Sequence, residues 1–355
     1  RSSPTLPYNQ LPPLPPANFG MSEKTTQLLI EARVALAQLN ALLEFETEIA
    51  KLTLVFPLME AQASSAIENI VTTNDTLFQH LIAQTESQAD LVVKKVWANR
   101  TALQFGLNSL LGRPITAKLA ENMCEILLGH NSVLRDLEGA YIGSTSEVRY
   151  TPPAGKSTIE FKLSQWEDFV NSKTQLDPLV KMALAHYQFE AIHPFRDGNG
   201  RTGRILNLLM LVQENLLIAP AIQMSKAINR QRTDYYSLLR SVTEAGNWDG
   251  WVSIMLEVVR DSATLAKQQL MKITEHQKKA KEVLAASGIK LDRELADLMF
   301  TFPYLTQAGV QERLGVSRPT AAKILQLAKA KGLLETQTVG RQTYYMNVAL
   351  LRLLV

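Results

Sequence analysis

Apolar residues in the first part of the chain recur mostly at steps of three and four. Leu28, Leu29, Ala32, Leu36, Leu39 and Leu42 form one such stripe, a period that predicts an amphipathic helix beginning near Thr25. The pattern continues from Leu54 to Ile67. Thr72-Thr-Asn-Asp75 then interrupts it and supplies short polar side chains that cap a new helix. Two further helices are expected over 88–111 and 116–128, separated by Gly112-Arg-Pro114. Between 139 and 163 the pattern changes: Val148-Arg-Tyr-Thr151, Pro152-Pro-Ala-Gly155 and Ile159-Glu-Phe-Lys162 predict a short hairpin or flap. Helical spacing returns over 164–173, 176–191, 199–214, 231–244 and 248–286.

Both ends depart from this helical middle. Residues 1–20 hold six prolines, which fix φ and remove backbone donors, so an extended arm is expected there. It has Pro-x-x-Pro spacing, and packing along its own protein is favoured over docking on a foreign aromatic groove. In the tail, Gln307 to Leu314, the turn Gly315-Val-Ser317 and Arg318 to Lys331 predict two helices around a tight turn, with Ser317 capping the second. Gly332 to Val339, Gly340-Arg341 and Gln342 to Met346 predict a β-ribbon, and the whole reads as a winged helix. The expected organisation is a proline-rich arm (1–20), an N-terminal helical region (21–110), a core (111–250), a helical connector (251–289) and a winged-helix domain (290–355). The fold class is mainly α with one small β-hairpin.

Composition adds modest bounds. A chain of 355 residues with 46% hydrophobic and 20% charged content is ordinary for a soluble globular protein of two or three domains. No apolar run reaches the roughly 20 residues of a membrane span, and no secretory signal pattern opens the chain. The sequence begins at Arg1 rather than methionine, which leaves a removed leader open. The single cysteine, Cys124, allows no intramolecular disulfide and fits a reducing cytoplasm. Its helical surroundings predict a small core residue. A net charge of +3 permits nucleic acid as a partner without demanding it.

The densest chemistry lies in His193-Pro-Phe-Arg-Asp-Gly-Asn-Gly-Arg-Thr-Gly-Arg204, followed at once by the apolar helical run Ile205 to Val212. A glycine-rich turn opening a helix aims backbone N–H groups at one point, which the helix dipole makes attractive to anions. The arginines add fixed charge with a planar donor fork suited to phosphate. Asp197 can hold a hard divalent cation between phosphates. His193 can accept a proton near neutral pH. The segment reads as a phosphate-transfer site with its own base.

The segment resembles the core motif of Fic-domain proteins, His-Pro-Phe-x-(Asp/Glu)-Gly-Asn-Gly-Arg-x-x-Arg, at every fixed position. With the proline-rich arm and the tail, the layout resembles bacterial adenylyltransferases of the SoFic type. The resemblance implies transfer of AMP from ATP to a hydroxyl of a protein side chain, with release of pyrophosphate, and self-modification as a side reaction. It implies that His193 takes the hydroxyl proton and that Asp197 binds Mg²⁺. Gly198, Asn199 and Gly200 would cradle phosphate, Arg201 and Arg204 would meet the β/γ side, and Thr202 and Gly203 would complete the ATP-binding segment. Asn229, Tyr235 and Tyr236, in Asn229-Arg-Gln-Arg-Thr-Asp-Tyr-Tyr236, would line the adenine pocket. The flap around Val148 to Pro153 would align a target backbone by strand addition. Ser64-Ser-Ala-Ile-Glu-Asn69 matches the inhibitory motif (Ser/Thr)-x-x-x-Glu-(Gly/Asn) of the same family, implying that Ser64 and Glu68 oppose productive ATP binding through a Glu68–Arg204 pair. Asn69 tolerates the left-handed conformation that ends a helix.

Two other readings stay open on sequence. The same site could remove AMP or transfer another phosphate-containing group. Alternatively, the chain could be a DNA-binding regulator in which Arg318, Lys323, Lys329 and Arg341 meet phosphates, since the tail carries nine Lys or Arg against five Asp or Glu. Pro319-Thr-Ala-Ala322, however, presents few base-reading groups. Winged helices also serve as protein-docking or dimerising modules, which leaves a homodimer open.

Overall fold

In the computed structural model, residues 3–45, 55–83, 91–131, 134–136, 142–144, 147–289 and 291–354 are described. The chain is mainly helical. Helices α1 (Glu23–Phe45), α2 (Val55–Ile67), α3 (Asn74–Ala83), α4 (Leu91–Ser109) and α5 (Ala117–Leu128) precede an antiparallel hairpin of β1 (Ile142–Ser144) and β2 (Glu147–Tyr150). Helices α6 (Lys156–Asn171), α7 (Pro178–Ile192), α8 (Asn199–Gln213), α9 (Met224–Arg230), α10 (Arg232–Ala245) and the long α11 (Trp248–Ala285) follow. The tail holds α12 (Asp292–Thr301), β3 (Tyr304–Leu305), α13 (Gln307–Leu314), α14 (Arg318–Ala330), β4 (Glu335–Val339), β5 (Gln342–Met346) and α15 (Val348–Leu354). Its three strands form one antiparallel sheet in the order β3-β5-β4.

Helices α7 and α8 are buried nearly all round, as central helices must be, with polar side chains such as His186, Arg201 and Arg204 among the buried positions. Asp177 caps α7 by accepting from the Leu179 N–H at 2.9 Å, and Pro178 occupies the first helical position. Two buried tryptophans satisfy their indoles on the α7 backbone: Trp166 donates to the Ala185 carbonyl at 3.0 Å and Trp251 to that of Ala183 at 2.8 Å. Burying side chains of this size contributes on the order of 2–3 kcal/mol each. The first half of α11 therefore belongs to this core, with Trp251, Val252 and Met255 fully buried, and α1 lies along it. Its second half packs against α12 and α15.

The proline-rich arm is extended and packs on its own chain. Leu11 is buried and its carbonyl accepts from Lys162 Nζ. Gln188 donates to the Pro12 carbonyl at 2.8 Å. Around the end of the hairpin, the Tyr8 N–H donates to the Thr151 carbonyl at 3.0 Å, Thr151 Oγ1 to the Pro4 carbonyl at 2.6 Å, and the Ala154 N–H to Asn9 Oδ1 at 2.8 Å.

Several boundaries differ from the sequence reading. Ile159-Glu-Phe-Lys162 is helical, not part of the hairpin. Gly155 at φ 88° turns the chain into α6, where Ile159, Leu163, Trp166 and Val170 are buried at helical spacing and Phe161 faces solvent. Short helices α9, α12 and α15 were not expected. The expected starts at Leu54 and residue 88, and parts of the flap (139–141, 145–146), lie outside the described residues. In the tail, Ser317 caps α14 as expected, accepting from the Thr320 N–H, and Gly315 takes φ 63° to make the turn.

Candidate active site

The segment between α7 and α8 is built by its own sequence. His193 ends α7 in the left-handed conformation, φ 48° and ψ 58°. Asn199 then closes the loop on itself: Oδ1 accepts from the Phe195 N–H and Nδ2 donates to the Phe195 carbonyl, both at 2.8 Å. Phe195 is fully buried and anchors the loop below. Gly198, at φ 79°, starts α8 without any side-chain cap, so the first-turn N–H groups are left for a ligand. The Thr202 N–H is already bonded to the Gly198 carbonyl at 2.9 Å.

Arg135 fixes this loop from the other side. Its Nε donates to the His193 carbonyl at 2.6 Å, and Nη2 donates to the carbonyls of Ile192 and Pro153, both at 3.0 Å. Tyr150, at the end of β2, donates to the Ala191 carbonyl at 2.7 Å, which ties the hairpin to the same helix end. Burial and the nearby Arg135 charge push the His193 imidazole down to about 4, against the opposing influence of the Glu190 backbone and Asp197. The ring is thus neutral at pH 7, the form that accepts a proton. Its Nδ1 is buried without a hydrogen-bond partner.

A cavity of about 840 Å³ opens over the loop, lined by His193, Asp197, Gly198, Asn199, Gly200, Arg201 and Arg204, with Glu68 from the segment after α2 and Lys94 and Lys95 from α4. Glu68 sits between two arginines whose side chains are 4% exposed. Its Oε1 accepts from Arg204 Nη2 at 2.9 Å, and its Oε2 lies 2.7 Å from Arg201 Nε, a close ion pair without hydrogen-bond alignment. Ser64 completes the clasp, with Oγ accepting from Arg204 Nε at 2.8 Å and its carbonyl from Nη2 at 3.0 Å. Helix α2 ends at Ile67 and Asn69 takes φ 61°, the left-handed residue expected there. The approach is close: a Cβ on Gly200 would come within 2.9 Å of both Glu68 Oε1 and Arg204 Nη1. The sequence reading paired Glu68 with Arg204 alone; Arg201 is engaged as well.

Asp197 projects from the cavity mouth with its side chain 70% exposed. Its Oδ1 accepts from the Gly198 N–H at 2.6 Å, and Arg201 Nη2 lies 3.8 Å away. Among the described residues no cluster of three or more acidic, His or Cys side chains forms a complete metal cage. One exposed carboxylate beside an anion-binding loop fits Mg²⁺, which keeps waters and binds chiefly through substrate phosphates.

Not every expected residue faces the cavity. Thr202 is fully buried in α8, and Gly203 packs against Glu190, Phe189 and His186, so their side faces turn to the core. Asn229 is also outside the lining; its amide donates to the Ala63 carbonyl at 2.8 Å and ties α9 to α2. Tyr235 does line the cavity, although it is 1% exposed and its hydroxyl lies 2.7 Å from His186 Nε2. Tyr236 is 43% exposed and lines the cavity, with the Arg232 guanidinium 6.0 Å from its ring centroid. It also borders a second cavity of about 700 Å³, walled by Tyr150, Tyr187, Ala191, Leu239 and Thr243 and adjoining the first. Sequence reasoning missed Arg135, Glu190, Lys94 and Lys95. Glu190 alone carried a usable signal, standing one helical turn before His193 on the helix that leads into the motif. Burial pushes its carboxyl up to about 7, with the Arg204 charge opposing that rise and Glu68 adding to it.

Three family models match the chain. Residues 26–108 match "Fic/DOC family N-terminal", 118–211 match "Fic/DOC family", and 265–350 match "Protein adenylyltransferase SoFic-like, C-terminal domain". Among curated proteins, the protein adenylyltransferase Fic of Drosophila willistoni is 32% identical over 136 residues, covering 37% of this chain and 26% of that protein. The protein adenylyltransferase fic-1 of Caenorhabditis briggsae is 37% identical over 95 residues, covering 24% and 18%. The chain thus spans about a quarter or less of the length of these relatives. Among solved structures, a Fic family protein from Desulfovibrio desulfuricans G20 superposes with a TM-score of 0.59 at 22% identity, covering 94% of this chain and 98% of that one. Fic-1 from C. elegans superposes with a TM-score of 0.54 at 20% identity, covering 71% and 73%. With its His193–Arg204 loop, its helical core and its tail each matched, the chain belongs to the Fic/DOC family and carries a C-terminal domain of the SoFic-like kind.

Proposed function

We propose that this protein transfers AMP from ATP to a hydroxyl of a protein side chain and is held inactive by Glu68. The observation that carries the reading is one cavity with three features: an uncapped glycine-rich helix start, two buried arginines, and a neutral imidazole at the end of the adjoining helix. Phosphates settle on the Gly198–Gly200 N–H groups and on Arg201 and Arg204. The base lies in the adjoining cavity beside Tyr236 and Leu239. The target hydroxyl oxygen attacks the α-phosphorus while the bond from that phosphorus to the β-phosphate oxygen breaks. The hydroxyl proton passes to His193, and pyrophosphate leaves. Most of the rate enhancement comes from positioning and charge stabilisation. Asp197 would hold Mg²⁺, which when bound neutralises charge on the α- and β-phosphates. Strand β2, tied to α7 by Tyr150, offers a backbone edge on which an extended target segment pairs.

Glu68 opposes this by occupying the two guanidiniums that phosphate needs. The family likeness of the relatives named above, both adenylyltransferases, supports AMP as the transferred group. Incubating the Glu68→Gly chain with ATP labelled at either the α- or the γ-phosphate tests it. Protein should acquire label from the α position only; label from γ alone would replace the reading with phosphoryl transfer. We read the tail as a winged helix, with α14 as its second helix and β4–β5 as the wing. Arg318, Lys323 and Arg341 lie on it, while Lys329 is engaged by Thr336 Oγ1 at 2.9 Å.

A further inference from the structure

We infer that Glu190 recognises the sugar of the nucleotide, accepting hydrogen bonds from the ribose hydroxyls and selecting ribonucleotides over deoxyribonucleotides. The inference rests on the nucleotide reading of the site and adds a specificity-determining residue to it.

The argument starts from topology. The phosphate cavity and the adjoining base cavity share three residues: Glu190, Tyr236 and Leu239. A molecule with phosphates on the Gly198 loop and its base in the second cavity must cross this wall with its middle part, which in a nucleotide is the sugar. Leu239 offers no hydrogen bond, and Glu190 is the one charged group of the three. An ionised carboxylate is an acceptor only. It repels phosphate and attracts donors, and the ribose hydroxyls are the donors in the middle of the molecule.

Glu190 is also unexplained by the protein itself. Its Oε1 is buried with no hydrogen-bond partner. Leaving such a group unpaired is costly, and native proteins seldom do so without a reason. Its position is held closely: a Cβ on Gly203 would approach Oε1 to 2.6 Å, so α8 meets this carboxylate with bare backbone. Burial pushes the carboxyl up to about 7, and a hydroxyl donating to it favours the charged form. Glu190 and His193 are a helical turn apart at the end of α7, so the same helix end sets both the sugar and the group that takes the proton.

The test measures binding by calorimetry on the whole chain carrying Glu68→Gly. The ligands are ATP, 2′-deoxy-ATP, 3′-deoxy-ATP and 2′,3′-dideoxy-ATP. With Glu190 present, ATP should bind about tenfold or more tightly than the dideoxy form, the scale of a hydrogen bond to a charged group. Adding Glu190→Ala should weaken ATP by a similar factor and leave the dideoxy form unchanged, erasing the preference. Glu190→Gln, which keeps an acceptor and the shape, should keep part of it. A preference that survives Glu190→Ala in a chain of unchanged helicity and melting temperature overturns the inference, as does equal weakening of both ligands. Loss of discrimination between ATP and inosine triphosphate, with sugar preference intact, would move the contact to the base and also overturn it. A chain that binds none of these triphosphates refutes the nucleotide reading itself, a result distinct from ATP binding without sugar preference.

Discussion

Replacing Glu68 with glycine should trade stability of the free protein for affinity toward ATP, in nearly equal amounts. Glu68 bridges Arg204 at 2.9 Å and Arg201 at 2.7 Å, and both arginine side chains are 4% exposed while its own is 25% exposed. Removing one partner of a fully buried pair costs about 3–5 kcal/mol. The partial exposure of Glu68 and the poor alignment of its Arg201 contact reduce this to about 2–3 kcal/mol, since solvent screens part of the interaction. The γ-phosphate must displace the same carboxylate in the wild-type chain and need not in the variant. ATP affinity should therefore rise by the same free energy, about 30- to 150-fold at roughly 1.4 kcal/mol per tenfold. Glycine at this position adds little helix penalty, because α2 already ends at Ile67. Calorimetry gives the two dissociation constants, and thermal melting with and without ATP gives the stability terms. The free variant should melt below wild type, and saturating ATP should restore the difference. Arg204→Ala should not gain activity, and the double variant should resemble Arg204→Ala, since phosphate loses the same guanidinium. An ATP dissociation constant within threefold of wild type, with an unchanged melting temperature, would show that Glu68 does not hold these arginines in solution.

Other expectations follow from the same geometry. His193→Ala should abolish AMP transfer while ATP affinity changes little, because phosphate is held by the Gly198–Gly200 loop and the arginines; parallel loss of both would refute that division of labour. Asp197→Ala, or a chelator, should stop transfer, measured as label incorporation; full rate in the Asp197 variant would place the cation elsewhere. Because burial holds His193 near 4, lowering the pH from 7.5 to 6 should leave the imidazole neutral and the rate nearly unchanged. An imidazole at its ordinary value of about 6.5 would instead lose roughly fourfold over that interval.

What could be read from the chain depended on whether a residue's role is local. Gly198 opening α8, Asn69 in the left-handed conformation after α2 and Ser317 capping α14 are decided by their immediate neighbours, and spacing exposed them. Ile159 to Lys162 failed because four residues of alternating pattern cannot separate a strand from a helix; the burial of Trp166 and Val170 further along settles it. Arg135 acts through three backbone carbonyls of other segments, and no sequence pattern marks a side chain that serves distant backbone. Asn229 has the residue type of a base-binding group, but the packing of α9 against α2 gives its amide to the Ala63 carbonyl. Tyr235 keeps a place in the cavity wall while its hydroxyl meets His186, a pairing between helices that no local spacing shows.

The clasp between Ser64 and Arg204 joins residues 140 positions apart in the sequence. On the proposed reading this fixes an order of events during synthesis. Chains fold broadly from the N-terminus as they are made, so the restraining segment is already present when the phosphate-binding loop is translated. The loop then closes around a carboxylate that has been waiting for it. Each molecule is inactive from birth, with no interval in which a freshly made transferase acts on its neighbours at the ribosome, and activity has to be released afterwards rather than switched off.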